Sequence, residues 1–304
     1  TLNLLGKKGE FAFKDTHLVM ENLNYVCGMR KSLVDGQEEV LESCLNSSAL
    51  SRFDKAKKST RVGFRSGRFV GQFWVDNLSL TENKLGMGVD QFLVSDGENS
   101  VESEKISLSC SKNHYTKNFN DKLAVATCLK NAVVKAPQVS FKASEKNIRG
   151  KLEIEKLLAN GRHMLFVAPY GSIDHKNKQM EFKQLQAYCD LPALTENFQY
   201  DHLAQSCLHT SAIKLNQFQS TDSDGHLKIE GASFGVQPET IGFKIPKLDI
   251  LHLGDSFTMS KVRYSCKNVS STERGSADQN VGFDVGQMGQ DIAEGCFQES
   301  SGQI

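Results

Sequence analysis

Eight cysteines in this chain fall into four pairs, and each pair marks the same place in a repeating text. Cys27 and Cys44, Cys110 and Cys128, and Cys189 and Cys207 stand 17, 18 and 18 positions apart, and Cys266 and Cys296 stand 30 apart. The first cysteines recur every 83, 79 and 77 residues, which makes the chain an array of one module of about 80 residues. Units of that size bury little core alone and are expected to stack on their neighbours. The expected frame is the tail of a preceding or capping module over 1–20, then repeats over 21–100, 101–180 and 181–257. A partial repeat over 258–304 completes it.

Residues before the first cysteine alternate. Leu23-x-Tyr25-x-Cys27, Ile106-x-Leu108-x-Cys110, Leu185-x-Ala187-x-Cys189 and Val262-x-Tyr264-x-Cys266 predict a strand with one buried and one wet face. Nine residues upstream of each cysteine stand Leu18, Val101, Met180 and Phe257. Met20, Phe182 and Met259 follow two positions later, and the second frame has Ser103 there. The next apolar residue comes after a step of three, so the parity slips at one place in every frame, as a β-bulge or tight bend requires.

Around the second cysteine the period changes. Val40-Leu41-x-x-Cys44-Leu45, Ala124-Val125-x-x-Cys128-Leu129, Leu203-Ala204-x-x-Cys207-Leu208 and Ile292-Ala293-x-x-Cys296-Phe297 set apolar residues on one face of a short helix. The fourfold repetition selects Cys27–Cys44, Cys110–Cys128, Cys189–Cys207 and Cys266–Cys296 as disulfides, each clasping a strand to a helix. Further strands follow, as in Ala132–Phe141, Ala212–Phe218, Ile148-x-Gly150-x-Leu152-x-Ile154 and Leu227-x-Ile229. Others are Phe69-x-Gly71-x-Phe73-x-Val75 and Ile241-x-Phe243-x-Ile245, with later slips at Leu78 and Leu248. The expected fold is mainly β, with four or five mostly antiparallel strands and one short helix per module. Ser95–Ser100, Tyr170–Asn177 and Ser220–Gly225 are expected to be loops at module edges.

Paired cysteines without any C-x-x-C spacing point to an oxidising compartment (periplasm, cell surface or extracellular space) rather than to zinc. The chain starts at Thr1 without a charged and apolar leader, so the expectation is that any signal peptide has been removed or excluded. No segment has the roughly 20 apolar residues of a membrane-spanning helix. Lys plus Arg and Asp plus Glu both number 36, with basic residues dispersed, which predicts no nucleic-acid partner. Asp222-Ser223-Asp224-Gly225 lacks the acidic twelfth position of a calcium loop and is expected to be a turn. His202 and His209 are i, i+7 and are expected on a wet helix face. The expectation is therefore no enzyme, no catalytic residue, no metal and no cofactor.

The cadence Leu227-x-Ile229 to Ile241-Gly-Phe243-x-Ile245-Pro-Lys-Leu248-x-Ile250, followed by Met259-Ser-Lys-Val262-x-Tyr264, resembles repeats of the bacterial AsmA-like and lipopolysaccharide-bridge proteins. The resemblance implies a periplasmic β-groove that binds or conveys a lipid or another amphipathic ligand. Leu152, Ile154, Leu227, Ile229, Phe243 and Ile245 would line it. Trp74, among Phe64, Phe69 and Phe73 but of opposite parity, is a further candidate binding aromatic at a rim. The competing expectation is an adhesion or scaffold protein of the surface or periplasm. It would hold an envelope protein or a glycan through its loops, above all Lys267–Gly295.

Overall fold

The computed structural model describes residues 2–13, 16–28, 44, 46–50, 59–112, 121–192, 206–207, 210–237, 240–267 and 301–303. Strict alternation over a dozen residues at a time produces long strands. In chain order they are β1 (Leu2–Phe13), β2 (Thr16–Cys27), β3 (Ser48–Leu50), β4 (Thr60–Ser66), β5 (Phe69–Leu80) and β6 (Lys84–Ser95). Next come β7 (Asn99–Ser111), the helix Asp121–Leu129, β8 (Ala132–Ala143), β9 (Ile148–Ala159), β10 (His163–His175) and β11 (Lys178–Asp190). The remainder are β12 (Ser211–Lys214), β13 (Gln217–Asp222), β14 (Gly225–Glu230), β15 (Ser233–Val236), β16 (Thr240–His252), β17 (Asp255–Lys267) and β18 (Ser301–Gln303).

All 18 described strands join one sheet, and every pairing among them is antiparallel. The path is a meander in which each strand lies beside its predecessor. At three positions two short strands share the place of one long strand: β3 with β4, β12 with β13, and β15 with β14. Among the described residues the sheet is open, with β1 at one edge and β17 with β18 at the other.

Among the described residues it is also a single layer. Every extensive contact between described elements runs along a hydrogen-bonded ladder, except that of the helix Asp121–Leu129 on β7. No phenylalanine or methionine among the described residues is buried, and the largest fully buried side chains are Thr60 and Cys27. A domain with a conventional core would bury many.

The parity slip has a backbone cause. Asn22, Lys105, Gln184 and Lys261 have φ of 57°, 55°, 54° and 60°, each five residues before the first cysteine of its pair. A left-handed residue inside a strand turns two successive side chains to one face and resets the alternation. Partner strands slip with it: β10 pairs Ala168 with Leu185 and Tyr170 with Lys183, and the ladder is interrupted between them. In β5 and β8 the same step shows as register shifts at Val75 and Ala136. A crease thus crosses the whole sheet.

β2, β7, β11 and β17 each begin eleven residues before their cysteine. The expected boundaries at 20/21, 100/101, 180/181 and 257/258 fall inside these four strands, which are common to one sheet. The disulfides Cys27–Cys44, Cys110–Cys128 and Cys189–Cys207 are present, and Cys266 is disulfide-bonded. Its expected partner, Cys296, lies outside the described residues. Of the four expected helices one is described in full, and Cys44 and Cys207 are themselves helical. The fourth helix lies outside the described residues.

Two expected loops are corrected. Tyr170–Asn177 is mostly strand, because β10 runs to His175 and only Lys176 and Asn177 turn. Its polar residues Tyr170, Ser172 and Asp174 share the polar face of a strand, where Asp174 is exposed and Ser172 is buried. Ser220–Gly225 likewise turns only at Ser223 and Asp224.

Aromatic rings lie down on the sheet where the neighbouring strand carries glycine. Phe141 lies over Gly150 and Phe182 over Gly171, and a Cβ at either glycine would sit inside the ring. Gly171→Val is expected to lift Phe182 off its rotamer and cost about 2 kcal/mol. A lower urea midpoint at unchanged slope would show it, and an unchanged midpoint would contradict this packing.

Candidate functional site

In an antiparallel ladder directly opposed residues share a face, so the registers sort every side chain. Starting from Leu152 on β9, the opposed residues are Gly171, Phe182, Phe218, Ile229 and Leu248, ending at Met259 on β17. In the other direction the row runs through Val139, Ser103, Phe92, Phe73 and Val62 to Met20 on β2. Ser103 is its one polar member. Its hydroxyl donates to the Gln138 carbonyl at 2.7 Å, which leaves nothing unsatisfied at the surface.

A second row, nearer the hairpin turns, contains Phe64, Val94, Phe141, Ile173, Leu227 and Ile250. A third, across the crease, contains Leu78, Met87, Phe166, Ile213, Phe243 and Tyr264. Side chains in these rows touch sideways: Phe64 and Phe73 are 5.8 Å apart, Phe73 and Phe92 5.1 Å, and Phe243 and Tyr264 5.2 Å between ring centroids. Lateral contact alone leaves them half-buried.

The sheet spans fourteen strand positions from β1 to β17. At about 4.8 Å per strand and 3.3 Å per residue, the apolar face measures roughly 60 Å by 40 Å. Its area, on the order of 2,000 Å², is several times the apolar patch of an ordinary monomer. At about 25 cal/mol per Å², wetting it costs on the order of tens of kcal/mol.

The two long margins of this face differ. Cys27, Cys110, Cys189 and Cys266 lie along one margin, joined through opposed pairs such as Cys27 with Ser48 and Ile241 with Cys266. There Cys110, Ala132, Ala159 and Leu191 are buried, with Cys128 and Leu129 of the helix packed against them. The other margin is made of tight turns and leaves Phe11, Phe69, Val101 and Phe257 exposed, at 62%, 47%, 42% and 55%.

All six expected lining residues, Leu152, Ile154, Leu227, Ile229, Phe243 and Ile245, share this apolar face. Trp74 does not. It lies half-buried on the opposite face, with the Arg61 guanidinium 5.6 Å from its ring centre. The rest of the face, from Met20 through Phe92 to Phe218, was not among the expected residues. The signal was present in the alternation, but the face that unites these strands is defined only by register.

The polar face is laced with ion pairs near the turns. Lys228 pairs with Glu230 at 2.6 Å and Lys247 with Asp249 at 2.8 Å. The hydrogen bond from Lys228 holds the Glu230 carboxyl below its ordinary pKa, and those from Lys247 and Thr258 do the same for Asp249. His163, Tyr188 and Asp190 form a closed hydrogen-bonded cluster on this face, with His163 Nδ1 2.7 Å from Asp190 Oδ1. Asp222 accepts from the backbone N–H groups of Asp224 and Gly225 at 3.0 Å each, and these bonds lower its pKa. That carboxylate shapes the turn. Among the described residues no group of three or more His, Cys, Asp or Glu is placed to hold a metal. His202, His209 and most of Lys267–Gly295 lie outside the described residues. Among the described residues no helix is long and apolar enough to cross a membrane. No family model, curated protein or solved structure matches the chain.

Proposed function

We propose that this is a non-catalytic lipid-binding protein whose apolar sheet face holds acyl chains. The observation that carries the reading is the set of continuous apolar rows on one face of a single-layer sheet. Specific small-molecule pockets combine apolar walls with a few placed polar groups. These rows offer almost no polar group to fix the orientation of a ligand, and acyl chains need none. Rings lying flat over glycine make the surface smooth as well as apolar. The same function is implied by the resemblance to AsmA-like and lipopolysaccharide-bridge proteins. The disulfides place folding in an oxidising compartment; the periplasm, the cell surface or the extracellular space is the proposed site of action.

Native mass spectrometry of the purified protein tests the proposal. Lipid adducts that disappear on delipidation and return with added phospholipid are expected. An apo mass alone, together with no uptake of a fluorescent fatty acid, would rule the reading out in favour of a protein or glycan scaffold.

A further inference from the structure

The polar face carries a second organised feature, and it does not depend on lipid. From Lys156 on β9 the opposed residues are Val167, Gln186, Lys214, Ser233, Lys244 and Arg263. Four of these seven residues are cations and none is a carboxylate. Lys244 stands directly opposite Arg263, an arrangement of like charges that destabilises a sheet unless an anion compensates it. None of the four forms an ion pair among the described residues, unlike the Lys228 and Lys247 pairs beyond the crease. Beside this row runs another of small groups, Ala212, Gly235, Gly242 and Ser265. The two rows flank a trough of about 650 Å³. A Cβ at Gly235 would meet no atom closer than 3.9 Å, so its floor is open.

We propose that this row is the docking line for a linear acidic polysaccharide, with Lys214, Lys244 and Arg263 binding its sulfate, phosphate or carboxylate groups. A membrane surface is two-dimensional and rewards a broad patch, whereas these cations form a line one residue wide. At about 4.8 Å per strand the line from Lys156 to Arg263 is roughly 30 Å long. In an oxidising compartment outside the cytosol, polysaccharide is the linear polyanion this geometry suits. Arg263 supplies a planar fork for oxyanions, and the lysines supply point charges.

A heparin-derived decasaccharide is the probe, titrated calorimetrically against the intact protein at 50 mM and 500 mM NaCl. Binding at low salt that weakens strongly at high salt is expected. The triple variant Lys214→Ser, Lys244→Ser, Arg263→Ser should weaken it about tenfold or more. The control triple Lys151→Ser, Lys183→Ser, Lys228→Ser on the same face should change it less than about twofold. Lys244→Glu alone serves as a second variant if the triple is unstable, with a similar loss expected. No binding at 50 mM NaCl, or equal loss in both triples, would overturn the proposal. Binding to phosphatidylglycerol vesicles without binding to the decasaccharide would also overturn it, in favour of a membrane.

Discussion

Replacing Leu152 and Ile229 together by aspartate is expected to abolish lipid binding. Both side chains lie in one row of opposed residues at the middle of the apolar face. A carboxylate covered by acyl chains, with no partner, costs several kcal/mol. Two of them should lower retention of lipid by more than about a hundredfold. The neighbouring pair Lys151→Ser and Lys228→Ser points to the other face and should leave retention unchanged. Both variants are compared by the lipid-to-protein ratio after gel filtration. Equal effects of the two pairs would show that the apolar face is not where lipid sits.

Removing the Cys110–Cys128 clasp with Cys110→Ser and Cys128→Ser should cost about 3 kcal/mol, the loop-closure entropy of an 18-residue span. The loss exceeds that of most single packing changes here because little core compensates for it. Cys110, Ala132 and Ala159 are covered on the apolar side by the helix that this bond tethers. The denaturant midpoint should fall, and the freed helix should expose the margin to limited proteolysis. An unchanged midpoint would mean that packing alone holds the helix.

Much of this fold was legible because its signals are local. The step of three after Met20, Phe182 and Met259 marks the left-handed residues Asn22, Gln184 and Lys261 directly. The Cys27–Cys44, Cys110–Cys128 and Cys189–Cys207 bonds followed from the recurrence of one spacing with the same flanking pattern. Polar residues such as Tyr170, Ser172 and Asp174 read as a loop although they are the polar half of a strand, since alternation of that kind needs its apolar partners to be recognised. The site was half legible. Leu152, Leu227 and Phe243 could be assigned to a common face because each frame repeats the same parity, while the parity of Trp74 already set it apart. The cationic line was invisible. Lys156, Lys214, Lys244 and Arg263 lie far apart in the chain, and only the registers of β9 to β17 align them.

The clasped strands β2, β7, β11 and β17 are separated by four sheet positions each, an even number. An even interval returns the chain to the same direction, so the strand cysteine of each clasp falls on the same margin and the apolar rows continue on the same face. With three or five positions, successive clasps would alternate between margins. Such an array can lengthen by duplication of one interval, adding about 19 Å of apolar face each time without rearranging what is already built. On the proposed lipid-binding reading, carrying capacity scales with the number of intervals, a quantity that gene duplication changes in one step.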